Sequence, residues 1–455
     1  MLIKSRRDFL KAAVQSVGAA GMLGAMGKFG EMNALAQGTD YKALVCIFLA
    51  GGNDGHNTVI PITAGQNNYN LYAQGRQSLA LPVNSLNTIH DGADTYGLHP
   101  NMPEMAALYN AGNAVVVPNT GMLVKNISKA QYQSPGSLGI VPAQLFSHSD
   151  QSNQWQTAIP NGATSVGWGG TTEDKLAAYN QGAAFSPITA TSGCGLFCTG
   201  QQTFAATVPV GGASLLVGAN TPSRLSAFQT LYNFDNGLKL VQSANGTLQR
   251  GVGFSAALNK ALASSQVTSP FSSSLLGQQL QTVARIMKIQ SVLGIGRQVF
   301  FCQLGGYDTH STQLQTQAPL LADLSLSVSQ FYTALSQELG IANKVVTFTA
   351  SEFGRTLQPN GNGGTDHAWG SHHFVISQGA QSGGSLQGGK FCGQFPSLVL
   401  GGQDDANSRG TLIPTTSVEQ YAATMAQWFG LQSVDVPSVF PYLANFQTQN
   451  LGFLG

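Results

Sequence analysis

Charge is what this chain has least of. Asp, Glu, Lys and Arg make up 9% of its 455 residues and sum to a net charge of +1, where a soluble domain ordinarily carries about 25% charged residues. No basic field exists to hold nucleic acid or an anionic lipid surface, so composition excludes both as partners. Cysteine is also sparse, at five. Cys194 and Cys198 have no further soft ligands near them in sequence. That argues against a metal knuckle and for a small loop disulfide in an oxidising compartment. Cys46 and Cys302 fall inside apolar runs and read as buried strand residues. Beyond the N-terminal leader, no stretch supplies the roughly 20 strongly apolar residues of a membrane-spanning helix. No Gly-x-Gly-x-x-Gly follows a strand, and Gly167-Trp168-Gly169-Gly170 is too weak a substitute, so an oxidoreductase has little support.

What is present begins with an address. Ser5-Arg6-Arg7-Asp8-Phe9-Leu10-Lys11 carries paired arginines, followed by an Ala- and Gly-rich stretch over residues 12–27. Ala34-Leu35-Ala36 then supplies the small residues that a signal peptidase reads. Residues 1–36 are therefore expected to be a twin-arginine signal peptide, cut before Gln37 and directing the folded chain to the periplasm or out of the cell. Residues 37–455 are expected to form a single domain, soluble through Asn, Gln, Ser, Thr and 55 glycines rather than through charge.

Within that domain, residues 41–50 are a nearly unbroken apolar run that stops at Gly51-Gly52, the mark of a strand buried on both faces. Residues 103–111 have helical spacing and 114–118 form a second buried strand. A Gly-, Gln- and Asn-rich stretch at about 143–277 reads as an insertion, with helices near 223–232 and 253–263. The pattern resumes with a helix over 278–293, a strand over 298–303, a helix over 318–339 and a strand over 344–349. Residues 374–377 and 397–400 read as further strands, and 418–429 as a final helix. Helices alternating with buried strands predict an α/β fold.

The polar residues fall where such a fold binds ligands, just past the carboxyl ends of its strands. Gly51-Gly52-Asn53-Asp54-Gly55-His56 follows the first strand, Gly305-Gly306-Tyr307-Asp308-Thr309-His310 follows another, and Ser351-Glu352-Phe353-Gly354-Arg355 a third. Thr365-Asp366-His367 and His372-His373 come next, and Ser147-His148-Ser149-Asp150 stands apart in the insertion. Each cluster alone has a bland reading, as an Asp turn, a helix cap or an Arg–Glu pair. Together they bring imidazoles and carboxylates, the ligand set of zinc and related divalent ions, towards one crevice. Several carboxylates gathered there need a cation to offset their repulsion. Adjacent His372 and His373 point opposite ways on a strand, so at most one would face the site.

These segments, in this order and over nearly the whole mature chain, resemble the bacterial family DUF1501, which is similar in fold to the alkaline phosphatase and sulfatase superfamily. The resemblance implies an alkaline phosphatase-like three-layer sandwich, with a mostly parallel central sheet flanked by helices and a metal site at the strand ends. It implies metal ligands among Asp54, His148, Asp308, His310, Glu352, Asp366 and His367. Glu352 and the Asp366-His367 pair compete for one position: strand placement favours the first and residue identity the second. Ser147 and Ser149 are the nearest candidates for a nucleophile and Arg355 for an anion-stabilising group, although the Cys-x-Pro-x-Arg pattern of sulfatases is absent. The expected activity is hydrolysis of a small anionic phosphate or sulfate ester with a divalent metal: zinc first, then manganese, magnesium or calcium. The alternative is a non-catalytic periplasmic or cell-surface binding or assembly protein that keeps the fold and engages an exported protein partner.

Overall fold

The computed structural model describes residues 40–455, apart from 66, 135, 138, 194, 211–220, 235–236 and 264. The expected leader and one half of the Cys194–Cys198 pair lie outside the described residues. The chain opens with β1 (Lys42–Leu49) and makes an excursion through β2 (Val59–Ala64), β3 (Asn67–Asn68), β4 (Asn87–Asp91) and β5 (Asp94–Leu98). It continues with β6 (Ala114–Gly121), β7 (Ile188–Ala190), β8 (Ala206–Thr207), β9 (Arg297–Leu304), β10 (Val345–Ala350), β11 (Ser371–Ile376) and β12 (Thr416–Ser417).

Eight of these form the central sheet, in the order β12-β6-β11-β10-β1-β9-β7-β8. Every neighbouring pair is parallel except the two made by β11, which runs antiparallel to both β10 and β6. The remaining strands make a small antiparallel sheet, β3-β2-β5-β4.

Strand periodicity explains the layering. Alternate β1 residues Ala43, Val45, Ile47 and Leu49 enter one core, while Leu44, Cys46 and Phe48 enter the other. Residues of the helices Pro103–Asn110, Leu275–Lys288 and Gln313–Thr333 close the first core. The helix Val418–Phe429, with Trp155 and Trp168, closes the second. The result is the α/β sandwich, with a mostly parallel sheet between helical layers, that the sequence predicts. Local chemistry starts the helices: the Ser274 hydroxyl accepts from Gly277 N–H at 3.1 Å, and Ser417 with Gln420 makes a capping box. Leu280 sits wholly buried in the first core, where truncation to Ala costs about 2–5 kcal/mol.

Three departures from the sequence reading have physical causes. Residues 397–400 are not a strand, because side chains take their backbone donors. Ser397 N–H goes to Asp404 at 2.8 Å and Leu398 N–H to Asn67 at 2.9 Å. The helix expected at 318–339 starts earlier, at Gln313, whose wholly buried side chain lies beneath the strand ends. The polar stretch 143–277 supplies β7 and β8 to the sheet edge, and one long helix, Lys239–Leu262, runs where a shorter one was expected.

Candidate metal centre

Three loops meet at the carboxyl ends of β1, β9 and β10. Gly51 follows β1 with φ +121°, and a Cβ there would lie 2.3 Å from the backbone nitrogen of Asp308. Only glycine lets the two loops approach so closely. The loop after β10 folds back on itself: Gly354 N–H donates to Trp369 at 3.0 Å and Thr356 N–H to Asp366 at 3.0 Å. Thr365 N–H donates to Thr309 at 3.0 Å, stitching that loop to the one after β9. Trp369 anchors its far end, wholly buried, with its indole N–H on Met122 O at 2.7 Å. A fourth element, the helix His148–Thr157, presents its first residue to the same crevice.

Three imidazoles and one carboxylate converge there. His367 Nε2 lies 3.1 Å from His148 Nε2 and 3.0 Å from His310 Nε2. Asp308 Oδ1 is 3.0 Å from His310 Nε2 and 3.4 Å from His367 Nε2, and its Oδ2 is 3.5 Å from His148 Nε2. Ligand atoms of His148, Asp308 and His367 all fall within 4.8 Å of one another. The side chains remain reachable, from 25% exposed at His367 to 46% at Asp308. The buried Phe353 ring packs against both His148 and His367, at 4.8 and 4.7 Å between centroids, and so limits their rotation.

Each ring nitrogen that faces away from the cluster has a partner. His148 Nδ1 meets Glu352 Oε1 at 2.8 Å, His367 Nδ1 meets Phe146 O at 2.8 Å, and His310 Nδ1 meets Asp366 Oδ1 at 3.4 Å. A carbonyl only accepts, so His367 carries its proton on Nδ1 and turns a lone pair inwards. A carboxylate opposite His148 favours the same tautomer. Two imidazoles in that form would face each other lone pair to lone pair across 3.1 Å. A shared proton or a cation removes the conflict.

A divalent cation fits this donor set. Tetrahedral zinc with ligands at about 2.0–2.1 Å places its ligand atoms about 3.3 Å apart, close to the 3.1–3.5 Å seen among the ligand atoms of His148, Asp308 and His367. The charges agree. The hydrogen bond to Glu352 raises the His148 pKa above its ordinary value, against the effect of partial burial. Burial lowers that of His367, with the neighbouring cations adding to it. For Asp308, burial pushes upward, but the Arg355 guanidinium and the two histidines outweigh it and hold the carboxyl below its usual value.

The structure brings His148, Asp308, His310 and His367 together, with Glu352 and Asp366 behind two of the rings. Arg355 stands behind Asp308, its guanidinium buried, donating to Asp308 Oδ1 at 2.7 Å and to Gly51 O at 3.2 Å. Asp54 is not part of the cluster. Its fully buried carboxylate is ion-paired with Arg76 and accepts from Gln313 Nε2 at 2.5 Å. Ser147 caps the helix, and its hydroxyl is 2.5 Å from Asp150 Oδ2, with Ser149 Oγ 3.4 Å from the same oxygen. His372 and His373 are both buried in β11, on Asn119 N–H and beside the Thr349 hydroxyl.

Arg76, Gln313, Phe146 and Arg409 were not singled out in sequence, the last pairing with Asp366 at 2.8 Å. Only the scarcity of charge could have flagged the two arginines.

Fold and site together define an α/β sandwich with a cluster of metal-ligating side chains at the carboxyl end of its sheet. The chain belongs to the family described as "Protein of unknown function (DUF1501)", whose profile matches residues 41–432. No curated protein matches it in sequence. Among solved structures it is similar to the C-terminal periplasmic domain of EcEptC from Escherichia coli in complex with Zn. That likeness has 10% identity and a TM-score of 0.30, over 75% of this chain and 74% of that one. Ps i-CgsB matches at 11% identity over 91% and 78%, with a TM-score of 0.37. PsFucS1 sulfatase from Pseudoalteromonas sp. matches at 11% over 88% and 75%, with a TM-score of 0.30. At such scores these likenesses carry no argument about this chain.

Proposed function

We propose that this protein is an exported, metal-dependent hydrolase of phosphate or sulfate esters. The observation that carries the reading is the meeting of His148 Nε2 and His367 Nε2 at 3.1 Å, beside Asp308 and His310, in a crevice open to solvent. His148, Asp308, His310 and His367 would hold a divalent cation, with zinc favoured by three imidazole nitrogens and one carboxylate. Such a cation supplies Lewis acidity towards an ester oxygen. Glu352 and Asp366 orient the ligating rings, and Arg355 fixes Asp308. Ser147 and Ser149, at the start of the helix that carries His148, are the candidate nucleophiles. Among the described residues no helix is long and apolar enough to cross a membrane, and the twin-arginine leader supports export.

The test is elemental analysis of protein recovered from the periplasmic fraction, followed by assays on aryl phosphates and aryl sulfates with and without a chelator. Bound zinc and chelator-sensitive turnover are expected. Metal-free protein with no turnover would sink the proposal.

One observation favours a second reading, a non-catalytic binding protein built on the same centre. The Ser147 and Ser149 hydroxyls both turn to Asp150. Zinc retained with no ester turnover, and one stoichiometric exported partner recovered by pulldown, would select it.

A further inference from the structure

We infer that Gln151 is a positioning residue of the metal centre: through the backbone of Phe146 it holds His367 in the tautomer that turns Nε2 into the cluster. The purpose of that tautomer rests on the metal reading above; the lock itself does not.

Phe146 has φ +72°. An aromatic residue seldom adopts this left-handed conformation, and it persists only where the surroundings enforce it. Gln151 does so. Its side chain is wholly buried, and Oε1 accepts the Phe146 N–H at 2.6 Å. Its own N–H donates to Ser147 O at 2.9 Å. One residue thus closes the first turn of the His148–Thr157 helix and clamps the residue before its cap.

The other end of the amide is informative. Gln151 Nε2 has no hydrogen-bond partner among the described residues. A buried amide donor left unpaired is unfavourable, and an apolar side chain of similar shape would avoid the cost. The glutamine is intelligible if the Phe146 N–H needs its acceptor. With Phe146 held, its carbonyl stands 2.8 Å from His367 Nδ1 and can only accept, which fixes the proton there. A relaxed Phe146 would turn that carbonyl away and free the ring to protonate Nε2, where it could no longer ligate.

The experiment compares wild type with Gln151→Met and Gln151→Glu, using nitrogen NMR of labelled histidines in metal-free protein and zinc titration of the same samples. In wild type His367 should be the Nδ1–H tautomer. In Gln151→Met it should exchange between tautomers, and zinc affinity should fall about tenfold or more, as for loss of other groups that orient a ligating histidine. Gln151→Glu keeps the acceptor and should hold the His367 tautomer, losing less zinc affinity than Gln151→Met. Phe146→Gly keeps the carbonyl and tolerates the left-handed backbone unaided, so adding Gln151→Met to it should cost less than about threefold. That pair carries the comparison should Gln151→Met alone fail to fold. An unchanged His367 tautomer and zinc affinity in Gln151→Met would overturn the inference, as would a full loss on the glycine background. If wild type binds no zinc but Gln151→Met still releases the tautomer, the metal reading falls and the positioning role stands.

Discussion

The guanidinium of Arg355 is fully buried, yet it donates at 2.7 Å to a carboxylate, Asp308, that is 46% exposed. The same side chain reaches Gly51 O and the Thr365 hydroxyl, each at 3.2 Å, so one planar fork joins three loops. Lysine cannot reproduce that fork. Arg355→Lys should lower stability by about 2 kcal/mol, through acceptors left unpaired, and weaken zinc binding. Denaturant unfolding and zinc titration check both; an unchanged midpoint would show that the loops hold without it.

Glu352 stands behind a different member of the cluster, His148. Its Oε1 accepts from Gly51 N–H and faces His148 Nδ1, both at 2.8 Å, while the side chain is only 3% exposed. Glu352→Gln keeps the shape and removes the charge. Zinc affinity should drop by about tenfold to a hundredfold, with little change in the unfolding midpoint of metal-free protein. Equal zinc affinity would mean that His148 needs no carboxylate behind it.

Asp54 and Arg76 make a different prediction. Both side chains are completely buried, and Gln313, Asn57, the His56 N–H and the Thr356 and Leu357 carbonyls supply the pair's further hydrogen bonds. Asp54→Ala strands a buried cation and should cost about 3–5 kcal/mol, while protein that still folds should bind added zinc as wild type does. Loss of metal at unchanged stability would instead make Asp54 a ligand.

Glu419 lies outside the site and reports on acidity. It is wholly buried, and burial raises its pKa from 4.5 to about 8 despite the Tyr442 N–H on Oε1. The unfolded chain gives up this proton first as pH rises. The folded state therefore loses about 1.4 kcal/mol per pH unit across the interval from 4.5 to about 8, with no further change above it. Glu419→Gln should remove that slope, so variant and wild type should diverge most near pH 8 in denaturant midpoints measured across the range. Parallel midpoints at every pH would disprove the shift.

Much of the fold was legible because β1, β6, β9 and β10 are buried on both faces and write themselves as apolar runs. β7 and β8 were not, being short and set in polar sequence at the sheet edge. Residues 397–400 look like a strand, but no local signal reveals that Asn67 and Asp404 will capture their donors. At the site, the placement of Asp308, His310 and His367 after strands was readable from sequence, and so was the isolated His148. The partner of each ring was not. Glu352, Phe146 and Asp366 meet their histidines through contacts that only the fold creates. Asp54 illustrates the same gap. An acidic residue after the first strand reads as a ligand until Arg76, on a neighbouring helix, neutralises it.

The reversed direction of β11 has a consequence for how this surface can change. Because β10 runs into the loop and β11 runs back out of it, both arms of residues 351–370 stand at one end of the sheet. Glu352, Arg355, Asp366 and His367 therefore travel together as a cassette, clamped at its base by Trp369. Lengthening its tip near 360–364 would reshape the rim of the crevice while leaving the strands' pairing untouched. The outline of the crevice could thus be altered in one hairpin, without rebuilding the sheet beneath it.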